Sequence, residues 1–314
     1  MPYNSIMNAT IILFFLLLAA WFLLPLQTGR LLLGLERWRN GVHSRVIRLD
    51  GATWHYLEAG SGTTMFALHG IAADAGHWTR LAGLLNKNLH IIAPDLPGFG
   101  ESEAPPDAAY TLDAQVDRLH RFINALEPGD FYLTGNSLGG QLAAAYAARY
   151  PEHVTGLCLL APGGIIGARF SPVLKAVIRD EHNPFLVRNS ADFYRLLDAC
   201  FHARPWIPSP VRKLVLDRTI RLEANTLAVF DAIRFFSNSL ETIAAKLSTP
   251  SLVLWGQNDE VLDVSGATIL GQILSGSTII ILERTGHLPM LERPALCASH
   301  ILDFVRSQDS AGKG

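Results

Sequence analysis

Residues 131–149, FYLTGNSLGGQLAAAYAAR, are the stretch from which the fold of this chain can be inferred. A short apolar, β-rich run is followed by an alanine-rich run with the composition of a helix. Between the two stands Ser137, with Gly135 and Gly139 on either side in the pattern G-x-S-x-G. In a strand–turn–helix context this pattern is typical of a nucleophile raised on a strained turn. The alternative is a serine in an ordinary glycine-rich turn.

On both sides of this stretch, short apolar segments alternate with amphipathic ones. The predicted strands are 42–49, 53–59, 65–69, 90–93, 131–135, 154–160, 251–255 and 277–282. The predicted helices are about 77–87, 111–126, the run after Ser137, 265–274 and 294–305. The first two strands, joined by Asp50-Gly51, predict an antiparallel hairpin. Apolar strands separated by helices predict an α/β fold whose mostly parallel sheet is covered on both faces.

Residues 163–240 break this alternation, because they contain several helical patterns but no good strand. We interpret them as a helical cap inserted into an α/β core made of residues 41–162 and 241–308. Residues 309–314 are predicted to be a disordered tail. The cap carries eleven Lys and Arg against seven Asp and Glu, a net charge of +4, whereas the whole chain is −2.

The amino-terminal segment 1–40 is predicted to anchor the protein to a membrane. Residues 9–26, ATIILFFLLLAAWFLLPL, are uncharged and long enough to cross the hydrocarbon core as a helix. A cleaved signal peptide is the alternative, but no basic segment precedes the run and no clear A-x-A site follows it. Residues 29–39 are predicted to form an interfacial helix, with a solvated loop as the plainer alternative.

The distribution of charge predicts the orientation of this anchor. Lys and Arg are absent before the apolar run, and five arginines follow it, at positions 30, 37, 39, 45 and 48. The positive-inside rule then places the body of the protein on the cytoplasmic face. Cleavage of a signal peptide would instead give a periplasmic or secreted protein.

A serine nucleophile needs a base, and the base needs a carboxylate to fix its tautomer. His287 lies in RTGHLPMLERP, a loop directly after the last predicted strand, where parallel sheets place reactive groups. The other late histidine, His300, falls within a predicted helix. The acid should come from WGQNDEVLD, where we prefer Asp259 to Glu260 and Asp263 because it is nearest the strand end.

The reaction also needs two N–H donors for the developing oxyanion. Leu138, immediately after Ser137, supplies one by position, and Ile71 in the loop after strand 65–69 is the predicted second donor. His69 and Asp95 are predicted to be structural residues that bind loop backbone. The residues predicted to contact the substrate are Gly70, Asn136, Leu288 and Met290.

Composition excludes several other classes of function. The net charge is −2 and no basic stripe is interleaved with aromatics, so nucleic acid is not an expected partner. The three cysteines lie far apart in apolar runs and are predicted to be small buried residues. No phosphate-binding, dinucleotide-binding or zinc-protease motif is present in the sequence, so no metal or cofactor is expected. The sequence predicts nothing about oligomeric state.

Five motifs, in this order, resemble the α/β-hydrolase superfamily over about residues 42–306: LHGIAADAGHW, APDLPGFGES, GNSLGG, WGQNDEVLD and TGHLPMLERP. The closer resemblance is to bacterial membrane-associated lipases and esterases and to the monoacylglycerol lipase-like ABHD6 group, which share a hydrophobic amino-terminal anchor and a comparable cap. It implies a serine hydrolase of acyl esters, with monoacylglycerols or similar lipids as substrates. It also implies Ser137 as nucleophile, Asp259 as acid, His287 as base, and Ile71 and Leu138 as oxyanion donors.

Two other functions stay open at this stage. A hydrolase of C–C bonds in ring-cleavage products would use the same scaffold, with cationic groups in its pocket. A non-catalytic ligand-binding protein of this fold would usually lack one member of the triad. Haloalkane dehalogenases and epoxide hydrolases use a carboxylate nucleophile at the position of Ser137, so the serine argues against both.

Overall fold

The computed structural model of the chain describes residues 2–104, 109–179, 183–233 and 239–311. Residues 180–182 and 234–238 of the predicted cap, and 312–314 of the predicted tail, lie outside the described residues.

Eight strands form one sheet at the centre of the molecule. They are β1 (Val42–Leu49), β2 (Ala52–Ala59), β3 (Thr63–Leu68), β4 (Leu89–Pro94), β5 (Phe131–Ser137), β6 (Val154–Pro162), β7 (Ser251–Gly256) and β8 (Thr278–Leu282). Their order in the sheet is β1-β2-β4-β3-β5-β6-β7-β8. The β1–β2 and β2–β4 pairs are antiparallel, and every other neighbouring pair is parallel. The loops that follow the parallel strands therefore meet at one edge of the sheet.

Helices surround this sheet and extend to the amino terminus. They are α1 (Pro2–Leu23), α2 (Pro25–Arg39), α3 (Thr79–Leu85), α4 (Leu112–Ala125), α5 (Leu138–Arg149), α6 (Pro172–Ile178), α7 (Ser190–Cys200), α8 (Ser209–Arg221), α9 (Glu223–Ile233), α10 (Leu240–Ala244), α11 (Ser265–Ile273), α12 (Pro289–Glu292) and α13 (Pro294–Ala311).

Two hydrophobic clusters cover the two faces of the sheet. Along β3, Phe66 and Leu68 belong to one cluster, whereas Met65 and Ala67 belong to the other, as expected for side chains that alternate across a strand. The first cluster includes residues of α4, α5 and α11, and the second includes residues of α3 and α13. Both faces are therefore apolar, which confirms the prediction of a covered, mostly parallel sheet.

All eight predicted strands are present, but two of the predicted helical segments differ from the structure. The helix expected near 77–87 is a 3-10 turn, Ala75–Trp78, followed by α3. The turn begins where the Asp74 carboxylate accepts a hydrogen bond from the Gly76 N–H at 2.7 Å. The helix α13 continues to Ala311, so residues 309–311, predicted to be part of a disordered tail, are helical. The Ser310 hydroxyl donates to the Arg306 carbonyl at 2.9 Å in this last turn.

The helices α6 to α9 lie between β6 and β7, and we refer to them as the inserted helices. The chain leaves and rejoins the sheet at neighbouring points, because the Leu240 N–H donates to the Gly164 carbonyl at 2.8 Å. An insertion whose two ends meet in this way leaves the order of the sheet unchanged on both sides.

The amino-terminal helices differ from each other in their surroundings. Within α1, Ile6–Leu23 is long and apolar enough to cross a membrane, and its side chains are almost entirely exposed. In contrast, α2 packs against α8, where Gly29 is buried against Pro210. A Cβ on Gly29 would lie 2.6 Å from the Pro210 carbonyl oxygen, so only glycine permits this approach. The helix predicted to be interfacial therefore also supports an inserted helix.

Candidate active site

Ser137 stands at the turn between β5 and α5. Its backbone angles are φ 56° and ψ −120°, a conformation that is costly for a residue with a side chain. The side chain is 8% exposed and lines a cavity at the carboxyl edge of the sheet. A strained residue of this kind at a site of close packing is a mark of function.

Close backbone contacts explain the glycines around this serine. A Cβ on Gly135 would lie 2.2 Å from the Gly139 carbonyl oxygen, and one on Gly139 would lie 2.2 Å from the Leu68 carbonyl oxygen. The turn can form only if both positions lack a side chain. The G-x-S-x-G pattern is therefore dictated by packing between β5, α5 and the end of β3.

A buried histidine–carboxylate pair lies at the same edge of the sheet. His287 Nδ1 is 2.8 Å from Asp259 Oδ2, and both side chains are almost fully buried. The other oxygen, Asp259 Oδ1, accepts hydrogen bonds at 2.9 Å from the Val261 and Leu262 N–H groups. Because an ionised carboxylate only accepts, this geometry assigns the proton to Nδ1. His287 Nε2 is buried without a hydrogen-bond partner among the described residues, and it is free to accept a proton.

The loop that carries His287 is held from several directions. Its carbonyl accepts a hydrogen bond from Asn136 Nδ2 at 3.0 Å, and the same nitrogen donates to the Leu160 carbonyl at 3.0 Å. Its N–H donates to the Cys200 carbonyl of α7 at 2.8 Å. The residue beside Ser137 thus joins the histidine loop to β6, and an inserted helix supports it from the other side.

The two other acidic candidates in the loop after β7 do not contact His287. Asp263 accepts a hydrogen bond from the Ser265 N–H and pairs with Arg169 at 3.1 Å. Burial would raise the pKa of Asp263, but the bonds to Ser265 and Arg169 lower it. Glu260 is exposed. Of the three carboxylates, only Asp259 has the position of a histidine-orienting acid.

The loop after β3 approaches Ser137 closely. A Cβ on Gly70 would lie 3.1 Å from Ser137 Cβ, and Ile71 lines the cavity next to it. Ala72 has φ 56°, so the chain turns sharply after Ile71. Across the site, Leu138 is the first residue of α5, where backbone N–H groups have no partner within the helix. The two predicted donor residues thus flank the serine.

His69 holds this loop in place, as predicted. Its Nδ1 is 2.7 Å from the Gly70 carbonyl, and the Leu96 N–H donates to its Nε2 at 2.9 Å. These partners fit a neutral imidazole with the proton on Nδ1. Burial lowers the pKa of His69 to about 4, which keeps the ring neutral.

Asp95 also binds backbone, as predicted, but its environment is unusual. It accepts hydrogen bonds from the Ala75 N–H at 2.7 Å and the Glu101 N–H at 2.9 Å. Burial and the nearby Asp74 carboxylate raise the pKa of Asp95 to about 7. For Asp74 itself, burial would raise the pKa, but the attraction of Arg218 outweighs it and lowers the value to about 2.

The cavity has a volume of about 820 Å³ and lies between Ser137 and the inserted helices. Its floor includes Gly70, Asn136, Ser137, His287 and Leu288. Apolar side chains of α2, of α7, of the segment before α8 and of the start of α8 form its walls, among them Leu32, Leu33, Phe193, Leu197, Ile207 and Val211. A chamber of this size, with these apolar side chains above a polar floor, suits an acyl chain with a polar group at one end.

Met290 and Leu138 lie outside the lining of this cavity. Met290, predicted to contact the substrate, is fully buried and packs in the core cluster that includes α3 and α13. The loop turns into α12 directly after Leu288, which directs Met290 away from the chamber. Leu138 is also buried, which leaves only its N–H for the predicted role.

Two features of the site were missing from the sequence interpretation. One is the contribution of α2 to the cavity wall; an interior glycine at position 29 of an apolar helix was the available signal, because it indicates close packing. The other is the ion pair between Arg218 of α8 and Asp74, at 2.5 Å. No local pattern links these two residues, which are 144 positions apart.

The three cysteines are all free and buried, as predicted. Within the described ranges, no group of three His, Cys, Asp or Glu side chains is placed to hold a metal ion.

Comparisons with known proteins agree with this geometry. The model of the α/β-hydrolase fold family matches residues 63–294. The chain is 30% identical to "Lipase 1" of Psychrobacter immobilis, over 86% of each chain. It is 33% identical to "Monoacylglycerol lipase abhd6-B" of Xenopus laevis, over 80% of this chain and 77% of that protein. The crystal structure of a membrane phospholipase A described as a bacterial virulence factor matches with a TM-score of 0.88 and 33% identity, over 98% of this chain and 99% of that one.

The family match covers most of the chain, and the relatives are about one-third identical over most of their length. The chain belongs to the α/β-hydrolase family, as a hydrolase of the lipase and esterase type.

Proposed function

We propose that the protein is a serine hydrolase of lipid acyl esters, with monoacylglycerols or similar single-chain lipids as its substrate class. The observation that carries the proposal is the His287–Asp259 pair at 2.8 Å, whose Nε2 is buried without a partner in the cavity that also contains Ser137. A histidine with its Nδ1 proton fixed and its Nε2 unoccupied is prepared to act as a general base.

In the first half of the reaction, His287 Nε2 takes the proton of the Ser137 hydroxyl while Oγ bonds to the ester carbonyl carbon. The carbonyl oxygen becomes an oxyanion, which accepts hydrogen bonds from the Ile71 and Leu138 N–H groups. As the bond between the carbonyl carbon and the alcohol oxygen breaks, the imidazolium returns the proton to the leaving alcohol. The acyl group stays on Ser137 as an ester.

The second half repeats these steps with water. His287 Nε2 removes a proton from a water molecule, whose oxygen attacks the acyl carbon, and the oxyanion forms again between the same donors. The bond to Oγ then breaks and the proton passes to Ser137. The products are a fatty acid and the free enzyme. Asp259 stays ionised throughout and stabilises the imidazolium.

The walls of the cavity support a lipid substrate. Aliphatic and aromatic residues of α2 and the inserted helices enclose a volume large enough for an acyl chain. The relatives named as lipases and a monoacylglycerol lipase agree with this class. The inserted helices then act as a cap above the serine.

Hydrolysis of C–C bonds in ring-cleavage products is less well supported. The relatives at 30% identity or more are named as lipases, which favours ester hydrolysis. Of the arginines that line the cavity, Arg218 is paired with Asp74 and Glu101, and Arg80 with Glu36. A purely ligand-binding protein is also disfavoured, since a serine, a histidine and a carboxylate all lie at the same edge of the sheet, with the last two in contact.

We also propose that α1 anchors the protein with its catalytic domain on the cytoplasmic face. The support is the absence of Lys and Arg before the span and the five arginines after it. A carboxyl-terminal fusion to a reporter that is active only in the cytoplasm should be active in whole cells. If a phosphatase that is active only outside the cytoplasm is active when fused at the same point, the catalytic domain lies on the opposite face.

The function is tested with the full-length protein in detergent micelles. A fluorophosphonate probe should label Ser137 alone, and the protein should hydrolyse p-nitrophenyl butyrate and a long-chain monoacylglycerol. Ser137→Ala should abolish labelling and turnover, whereas Ser190→Ala, at the exposed start of α7, should change neither. Labelling that survives Ser137→Ala would refute the nucleophile, and a wild-type protein inactive on every ester would refute the function.

A further inference from the structure

Arg218 is an arginine of α8 whose side chain is 15% exposed, which is unusual for a charged group. It points to the sheet, where one guanidinium nitrogen, Nη1, is 2.5 Å from Asp74 Oδ2. The second, Nη2, is 3.5 Å from Glu101 Oε1. Other arginines of the segment between β6 and β7, such as Arg188 before α7 and Arg204 between α7 and α8, pair at the exposed surface. Of these three arginines, only Arg218 pairs with carboxylates on loops that follow the parallel strands.

The two carboxylates lie on loops that follow neighbouring parallel strands, β3 and β4. Asp74 is three residues after Ile71, and its other oxygen accepts the Gly76 N–H at 2.7 Å, which fixes the turn that ends the loop. The loop is thus tied at its start by His69 and at its end by Asp74. The Ile71 N–H lies between these two points.

The position of Arg218 depends in turn on α2. At its other end, α8 packs on α2 through Pro210 and Leu214, which lie against Gly29. The Trp21 indole N–H also donates to the Ser209 hydroxyl at 2.9 Å, where α1 nears its end. Contacts therefore run without a break from the membrane-anchoring helices, along α8, to the loop that holds the oxyanion donor.

We propose that Arg218 is a positioning residue for the oxyanion loop, and that α8 links the placement of the inserted helices to the alignment of the Ile71 N–H. The proposal rests on the proposed function, because it assigns a role in the same ester hydrolysis. Arg218 touches neither the reacting carbonyl nor the oxyanion; it acts through Asp74. With its charge paired, its effect is on geometry.

A positioning role predicts a loss in kcat with little change in KM for a short substrate. A displacement of about 1 Å at a catalytic group can cost on the order of 10²-fold in rate. We therefore expect kcat for p-nitrophenyl butyrate to fall roughly tenfold to 100-fold in Arg218→Met and Asp74→Asn, on the same basis. KM should stay within about twofold, because the hydrogen bond to the oxyanion forms only in the transition state, so its misalignment lowers kcat without weakening binding of the ground state.

Rescue and coupling separate this role from a general loss of stability. Arg218→Lys keeps a charge that can pair with Asp74, so kcat should recover to within about fivefold of wild type, the remainder reflecting the lost fork geometry. The double variant Arg218→Met/Asp74→Asn should be no slower than the slower single variant, since both remove the same link. The matched control is Arg221→Met, one turn further along α8 and exposed, which should be neutral.

The experiment measures kcat, KM and thermal unfolding of the full-length protein in micelles, with Ser137→Ala as the inactive reference. If Arg218→Met does not fold, Asp74→Asn and the double variant decide the question. The double variant removes both partners of this ion pair, so neither charge is left without the other. Folded variants with wild-type kcat, a change confined to KM, or an equal loss in Arg221→Met would overturn the proposal while the proposed function stands. A wild-type protein without esterase activity or labelling would overturn both.

Discussion

Backbone hydrogen bonds and close backbone packing hold Ser137, Asp259 and His287 at the ends of strands, whereas α6 and α8 above them bury few residues. β5 is buried over its whole length, but α6 has no buried residue and α8 buries only Pro210 and Leu214. The difference indicates a division of labour. The edge of the sheet that carries these three residues is fixed mainly by backbone contacts, and the chamber above it depends on side-chain contacts that single substitutions can shift.

The largest expected effect comes from Asp259, the proposed acid at the edge where the parallel strands end. Asp259→Asn should lower kcat by about 10⁴-fold, the cost of the equivalent change in serine proteases, because an amide no longer fixes the proton on His287 Nδ1. Asp263→Asn, in the same loop but paired with Arg169, should have little effect. Steady-state rates on p-nitrophenyl butyrate check both variants, and the opposite ranking would transfer the role to Asp263.

A backbone donor at the same edge should be sensitive to main-chain change and tolerant of side-chain change. Ile71→Pro removes the N–H, and loss of one oxyanion donor costs roughly 10²–10³ in kcat. Ile71→Ala keeps the N–H and should retain most activity towards a short ester. Equal inactivity of both variants would mean that the side chain acts, and a fully active, folded proline variant would place the donor elsewhere.

At the chamber wall formed by α2, the effect of a substitution on activity should depend on the substrate. Gly29→Ala would place a methyl group 2.6 Å from the Pro210 carbonyl oxygen, so α2 must move away from α8. A wall of the chamber then shifts, and we expect kcat/KM for a long-chain monoacylglycerol to fall about tenfold, the cost of modest overpacking. The rate with p-nitrophenyl butyrate should fall by less than this, because only the part of the displacement that α8 passes on to Arg218 reaches the Ile71 loop.

Gly34→Ala is the matched control, because a Cβ at that position in α2 has no atom within 4 Å. It should leave both substrates unaffected. A loss with the short ester in Gly29→Ala as large as that with the long-chain substrate would mean that α2 acts mainly on the Ile71 loop and not on the chamber wall.

The smallest effect concerns Asp95, whose carboxylate accepts hydrogen bonds from the Ala75 and Glu101 N–H groups, and it depends on pH. Burial raises the pKa of Asp95 to about 7, while in the unfolded chain the same carboxyl has its ordinary value near 4. Between these values the unfolded chain releases a proton that the folded protein retains, so the contribution of Asp95 to stability is full below about pH 4 and falls towards pH 7.

Asp95→Asn removes this titration but keeps the shape of the side chain. The difference in Tm between wild type and variant should therefore shrink by a few degrees from pH 4.5 to pH 7.5. Thermal unfolding in micelles across this range provides the measurement. A difference that is constant or grows with pH would mean that Asp95 is ionised in the folded protein.

The sequence was most informative where local rules determine the structure. The eight strands follow from runs of apolar residues, and the glycines beside Ser137 follow from the space that the turn leaves. His69 and Asp95 bind backbone as predicted, because their loops adjoin strand ends. Asp259 meets His287, as the order of the strands required.

Long-range contacts between side chains could not be predicted. The pairing of α2 with α8 and of Arg218 with Asp74 depends on how separate segments pack, and many pairings fit the same amphipathic patterns. Met290 was assigned to the substrate by its place in the chain, but the start of α12 rotates it into the core. Its neighbour Leu291 lines the cavity, whereas Met290 does not.

Because Leu32 and Leu33 of α2 line the chamber, the choice of expression boundary affects pharmacology. A soluble form that begins at β1 would have the catalytic edge but lack one side of the lipid chamber. Inhibitors with a short reactive head would rank alike on both forms. Inhibitors with a long tail would be ranked on a binding surface that lacks α2 and therefore differs from that of the full-length protein. Selectivity screens need a form that retains α2.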